Sequence, residues 1–200
     1  LGTDLIKSLT TTAIKSLTND QISYLNSGQV AALTTAQVKS LTSEQLNSLS
    51  AENIGAMETA DIASITTPIL SSFTQISNLS SQQIQAFTNA QIRALTTTQL
   101  QSLSADQYSS LTATEISNFS AAQVSSFTTA GIATLSSTQI QAIPAGAVAS
   151  LDLSALTTDQ INALTTKQIS ALSATKINNL SATSLSALNG AAVGAITTSV

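Results

Sequence analysis

Residues 33–48 read LTTAQVKS LTSEQLNS, an eight-residue phrase followed at once by a variant of itself. The order is Leu, Thr or Ser, two variable residues, Gln, then Ile, Val or Leu, one polar residue and a small one. Copies open at Leu1, Leu9, Leu17, Leu25, Leu33, Leu41, Leu49, Met57 and Ile65. A six-residue unit at 73–78, opening on Phe73, interrupts them. The frame resumes at Leu79, Phe87, Leu95, Leu103, Leu111, Phe119, Phe127, Leu135 and Ile143. A five-residue unit at 151–155, opening on Leu151, interrupts again. Copies then open at Leu156, Leu164, Leu172, Leu180 and Leu188, and Ile196 starts a truncated one. The chain 1–200 therefore reads as one continuous octad array, a processed chain or a window on a longer one. A period this short makes it quasi-one-dimensional and leaves no room for an active site in each copy.

A continuous α-helix cannot keep this pattern on one face. Eight residues overshoot two helical turns by about 80°, so the apolar stripe would spiral. A plain strand fails too, because positions 1 and 6 differ in parity and would face opposite ways. Each octad must carry its own break. With the Thr or Ser of position 2 as N-cap, the Gln of position 5 is the third helical residue, which makes a capping box. Thr34 with Gln37, Thr42 with Gln45, Ser80 with Gln83, Thr88 with Gln91, Thr96 with Gln99 and Thr157 with Gln160 all have this spacing. Positions 1 and 6 are then the two halves of a hydrophobic staple, as in Leu33 with Val38 and Leu79 with Ile84.

Charge placement agrees. Asp4, Asp20, Glu44, Glu52, Asp106 and Asp159 stand at position 4, in the expected first turn. Lys7, Lys15, Lys39 and Arg93 stand at position 7, near the expected end. The helix dipole favours that segregation and a strand has no use for it. The expected fold is all-α, a solenoid of very short capped helices, one per octad, with positions 1 and 6 inside and 3, 4 and 7 outside. Small residues at position 8, such as Ser40, Ala86, Ala94 and Ala163, let successive helices turn closely. Helices of about six residues do not hold alone, so stability must come from stacking. The abundance of Thr favours strands, and a β-solenoid is the alternative.

The two short units each follow an octad that contains a proline, Pro68 and Pro144. Losing two or three residues is expected to shift the superhelix phase, and proline to stop the local helix ladder. A designed bend or subunit contact is one reading; a deletion absorbed by a loop is the other. Residues 188–195, with Gly190 and Gly194, loosely resemble 143–150 and suggest a third interruption.

Composition narrows function. Only 8% of residues are charged, 42% are hydrophobic, and the net charge is −4. The scattered Lys7, Lys15, Lys39, Arg93, Lys167 and Lys176 make no nucleic-acid surface. No apolar run approaches the roughly 18 residues that span a bilayer. Without His or Cys there is no Ser–His triad and no thiol nucleophile. No phosphate loop or calcium loop is present, and no cofactor or metal is expected. Glu58 and Asp61 are the nearest thing to paired carboxylates, but they fall at positions 2 and 5, where capping explains them better than catalysis. Asn78, Asn118 and Asn179 form N-x-S sequons, which arise automatically when Asn ends a unit and position 2 of the next is Ser. Tyr24 and Tyr108 replace a small and an apolar residue; they read as core variants with the hydroxyl at the surface, or as marks of a groove.

The strings LTTAQV, LTSEQL, LTTTQL, LTTDQI and LTTKQI resemble the LTxxQIxA octad arrays of very large bacterial secreted or surface proteins, many described as adhesin-like. The resemblance covers essentially the whole chain and carries no catalytic residues. It implies an extracellular structural protein: a filament, sheath, matrix fibre or adhesin stalk that associates with copies of itself. The alternative is a binding module that presents Ser and Thr ladders to a repetitive ligand such as a glycan or ice. An enzyme is not expected.

Overall fold

The computed structural model describes residues 2–188. Among them are 22 α-helices of four to six residues and two 3-10 turns, with no strand. The all-α reading holds, and the β-solenoid falls. Almost every octad contributes one helix over positions 3 to 7 or 3 to 8, such as Thr35–Ser40 from the octad at Leu33.

The way each helix stops explains the period. In Thr35–Ser40 the chain leaves the helix at Leu41 (φ −59°, ψ 148°) and stays extended at the next N-cap, Thr42 (φ −82°, ψ 165°). The Leu41 N–H still donates to the Val38 carbonyl at 3.1 Å. Two extended residues thus turn the chain and start the next helix. Left-handed residues are the usual helix terminators, yet none occurs among the described residues. Reversal therefore needs no glycine, which is why Leu can occupy the corner.

The chain divides into two compact units, 1–95 and 96–200. In the first, Thr11–Ser16 packs on Thr35–Ser40 and Thr35–Ser40 on Thr59–Ser64; Ser27–Ala31 packs likewise on Ala51–Ala56. Each helix meets the helix three places later, so three short helices make one coil. In the second unit Ala105–Ser110 packs on Thr129–Thr134, and Ala113–Ile116 on Ser137–Ala142, by the same rule. Each unit is an α-solenoid with its core on the coil axis. Val38, Leu41, Ile92 and Leu95, from positions 6 and 1, are buried, while Thr35, Ala36 and Lys39 are exposed.

The short units differ from expectation. Neither proline stops a helix. Pro68 lies in the first turn of Thr67–Ser71, and Pro144 is the N-cap of Ala145–Val148; at a helix start no N–H is required of them. The hexad buries Phe73 and Ile76 and closes with the 3-10 turn Ile76–Asn78. The pentad buries Leu151 and Leu153 and closes with the 3-10 turn Leu153–Ala155. Each still packs as one side of a coil: the first against Ala51–Ala56, the second against Thr129–Thr134. A 3-10 turn spends fewer residues than an α-turn, so the missing residues come out of the helix and the phase is kept. The third interruption suggested at 188–195 lies, apart from Leu188, outside the described residues.

Candidate functional site

The recurrent chemical feature is the side chain at position 5. All six expected capping pairs close in the structure. The N-cap N–H donates to the glutamine Oε1 at 2.8–2.9 Å, in Thr34–Gln37, Thr42–Gln45, Ser80–Gln83, Thr88–Gln91, Thr96–Gln99 and Thr157–Gln160. The glutamine N–H returns a bond to the Thr or Ser hydroxyl at 3.2–3.3 Å. Glu58 and Asp61 hold the same places, with the Glu58 N–H donating to Asp61 Oδ2 at 3.3 Å. Burial raises the Asp61 carboxyl above its ordinary value; the bond from Glu58 opposes this and the Glu58 charge adds to it.

The glutamine has a second role that the capping pattern does not reveal. Its amide nitrogen reaches back to the previous coil. Gln37 Nε2 donates to the carbonyls of Ile6 at 2.8 Å and Leu9 at 2.7 Å. Gln45 does so to Ile14 at 3.1 Å and Leu17 at 2.7 Å, and Gln91 to Ile62 at 2.7 Å and Ile65 at 2.9 Å. In the second unit Gln139 bonds Leu111 at 2.6 Å, and Gln168 bonds Ile140 at 2.7 Å and Ile143 at 2.8 Å. The acceptors are helix-end carbonyls, which lack α-helical partners. One buried side chain thus starts its own helix and closes the end of another, a clamp between coils. Gln37, Gln45, Gln83 and Gln168 are each 2% exposed.

The clamp also measures register. Gln37 bonds residues 31 and 28 places earlier. Across the hexad Gln83 bonds Ile54 and Met57, 29 and 26 places earlier. Across the pentad Gln160 bonds Ile132 and Leu135, 28 and 25 places earlier. The spacing contracts by the residues missing, while octad positions 6 and 1 remain the acceptors. The hexad has its own clamp, Gln75 Nε2 to Asn47 O at 2.8 Å and Leu49 O at 2.9 Å. Asn47 adds bonds to Ser72 O and from the Thr74 N–H, both 2.9 Å.

Substitutions at position 5 keep the donor in several ways. Asn53, shorter, retains one bond, to Leu25 O at 2.6 Å. Lys176 reaches Leu151 O with Nζ at 2.8 Å. Gly131 has no side chain at all, and Tyr108 stands in for it. The Tyr108 hydroxyl donates to Leu100 O at 2.8 Å and accepts from the Thr128 N–H at 3.4 Å. A glutamine at 131 would serve those same octad positions. Tyr108 is 0% exposed, so its hydroxyl is inside, contrary to expectation; Tyr24 is 85% exposed and is not a core residue. Phe127 lies edge-on to Tyr108, ring centroids 5.3 Å apart. Burial raises the Tyr108 phenol above its ordinary value, opposed by its bonds with Thr128.

The sequence held one signal for the clamp. A capping box accepts Glu as readily as Gln, yet glutamine dominates position 5 and Glu115 is the one glutamate there. Only an amide, or another N–H or O–H group, can serve both bonds. Among the described residues no cluster of His, Cys, Asp or Glu is placed to hold a metal, and no helix is long and apolar enough to cross a membrane.

The family described as the ALTTAQ repeat matches residues 1–35, 25–59, 54–97, 76–113 and 145–182, together about three quarters of the chain. No curated protein matches it. The phrase ALTTAQ stands verbatim at residues 32–37 and ends on the clamp residue Gln37. With a match repeated five times over most of its length, the chain belongs to the ALTTAQ repeat family.

Proposed function

We propose that this repeat array is a structural, non-catalytic element working outside a bacterial cell, a stalk or filament segment that associates with further copies of itself. The observation that carries this reading is the glutamine clamp. The most frequent buried polar side chain is spent on joining coil to coil, which is the chemistry of extending an object. The low charge, with only 8% of residues charged, weakens repulsion between copies. The likeness to octad arrays of large secreted bacterial proteins supports the setting. The ladder-binding alternative draws less support. The ladders it needs, of Thr and Ser at positions 3 and 4, are interrupted by Glu44, Gln82 and Lys167.

The test is electron microscopy of native material sheared from its source. Uniform fibres containing this chain are the expected result. Isolated slender particles that never assemble would overturn the polymer and leave the stalk. Specific capture on a glycan array by a monomeric protein would favour the binding module instead.

A further inference from the structure

Position 5 of the octad at Leu111 holds Glu115, which is 4% exposed. Its Oε2 accepts the Thr112 N–H at 2.6 Å, so the cap is intact. Its Oε1 is sealed from solvent and has no hydrogen-bond partner among the described residues. In the glutamine octads that second atom is a nitrogen, and it donates to main-chain carbonyls. An ionised carboxylate has nothing to donate, and an unpaired buried anion is costly. A carboxylic acid has the missing hydrogen. We propose that Glu115 is a proton-binding site buried within its unit: the neutral acid is favoured there over the carboxylate, and the unit that holds it is firmer in acid than in base.

The surroundings agree. Ala113–Ile116 packs on Ser137–Ala142, which carries no charged residue. The preceding helix, Ala105–Ser110, carries only the exposed Asp106, and the following one, Ala121–Ser125, carries none. None of these three helices carries a cation; among the helices before them, Asn89–Ala94 carries Arg93. Burial raises its carboxyl, opposed by its bonds with Thr112. Asp61 is the other acid at position 5, 2% exposed. The helices packed on it, Thr35–Ser40 and Ser81–Gln85, carry only Lys39, and the Glu58 charge adds to the effect of burial on its carboxyl.

The sign follows from linkage. A carboxyl whose folded value is raised contributes stability that is complete below its unfolded value, about 4.3 for glutamate, and is lost as pH rises through the folded value. The experiment is a carbon-detected NMR titration of the side-chain carboxyls of the whole chain, with urea unfolding of the wild type, E115Q and D61N across the same pH range. Glu115 is expected to titrate above the ordinary glutamate value of about 4.3. The unfolding constant should rise by up to about tenfold per pH unit within that window for each such group. E115Q should remove the Glu115 share of this rise, and D61N should leave the Glu115 titration in place. Titration of Glu115 at or below that ordinary value would overturn the proposal, as would an unchanged slope in E115Q. The wild-type titration decides the matter even if E115Q does not fold.

Discussion

At Gly131 the octad has lost its glutamine and kept its bonds. A Cβ on Gly131 would lie 2.3 Å from Tyr108 Cδ2, so glutamine and tyrosine compete for one space. The exchange makes a sharp prediction. Gly131→Gln alone overpacks the core and should cost about 1–3 kcal/mol. Tyr108→Ile alone opens a cavity, takes one of two bonds from the Leu100 carbonyl and leaves the Thr128 N–H without its acceptor, at a cost of about 3–5 kcal/mol. Together they recreate the consensus octad, and a double-mutant cycle by urea unfolding should give a coupling of about 1–3 kcal/mol. Simple additivity would refute the substitution of hydroxyl for amide. Gln91→Glu separates the two roles of position 5 in another way. It keeps the cap acceptor but loses the donor to Ile62 and Ile65, and should cost about 1–3 kcal/mol at neutral pH, with part recovered on acidification. Equal stability of this variant at neutral pH would mean that the clamp contributes little. Capping was legible in the sequence because its partners lie three residues apart. The clamp was not, because its acceptors lie 25 to 31 residues away and no local pattern points to them. Tyr108 was misread for the same reason: its partners at Leu100 and Thr128 belong to other octads.

Each short helix is set by its ends. Thr34→Ala removes the hydroxyl that holds the Gln37 N–H and should cost about 1 kcal/mol in urea unfolding. The helical content and inward positions were readable from the octad, since the capping pair and the staple fix where each helix starts and which side is apolar. Three helices to a coil were not readable, since one octad does not encode where the chain meets itself again. The short units were misjudged because a missing pair of residues was treated as lost phase. Each instead exchanges an α-helix for a 3-10 turn, and in the hexad Asn47 pins it. Asn47→Ala should cost about 1–3 kcal/mol and speed hydrogen exchange at Thr74, whose N–H it holds. Unchanged protection at Thr74 would show that the hexad keeps register without it.

Within each unit the octad, and not the residue, is the interchangeable part. Removing a whole octad from the first unit, residues 33–40, lets every later helix meet a partner with the same chemistry three places back. Removing half of one, residues 33–36, sets core positions against corner positions. The first deletion should leave circular dichroism per residue nearly unchanged and lower the urea midpoint slightly. The second should abolish cooperative unfolding. Equal damage from both would mean that individual coil contacts, and not a shared octad code, specify the stack. The glutamine joints carry a further consequence. They run from a neutral amide to a neutral carbonyl, inside the stack and away from mobile ions. Salt screens charges that face water and does little to dipoles buried from it. A joint of this kind keeps its strength from fresh water to brine, so the array can be equally firm wherever the ionic surroundings change from hour to hour.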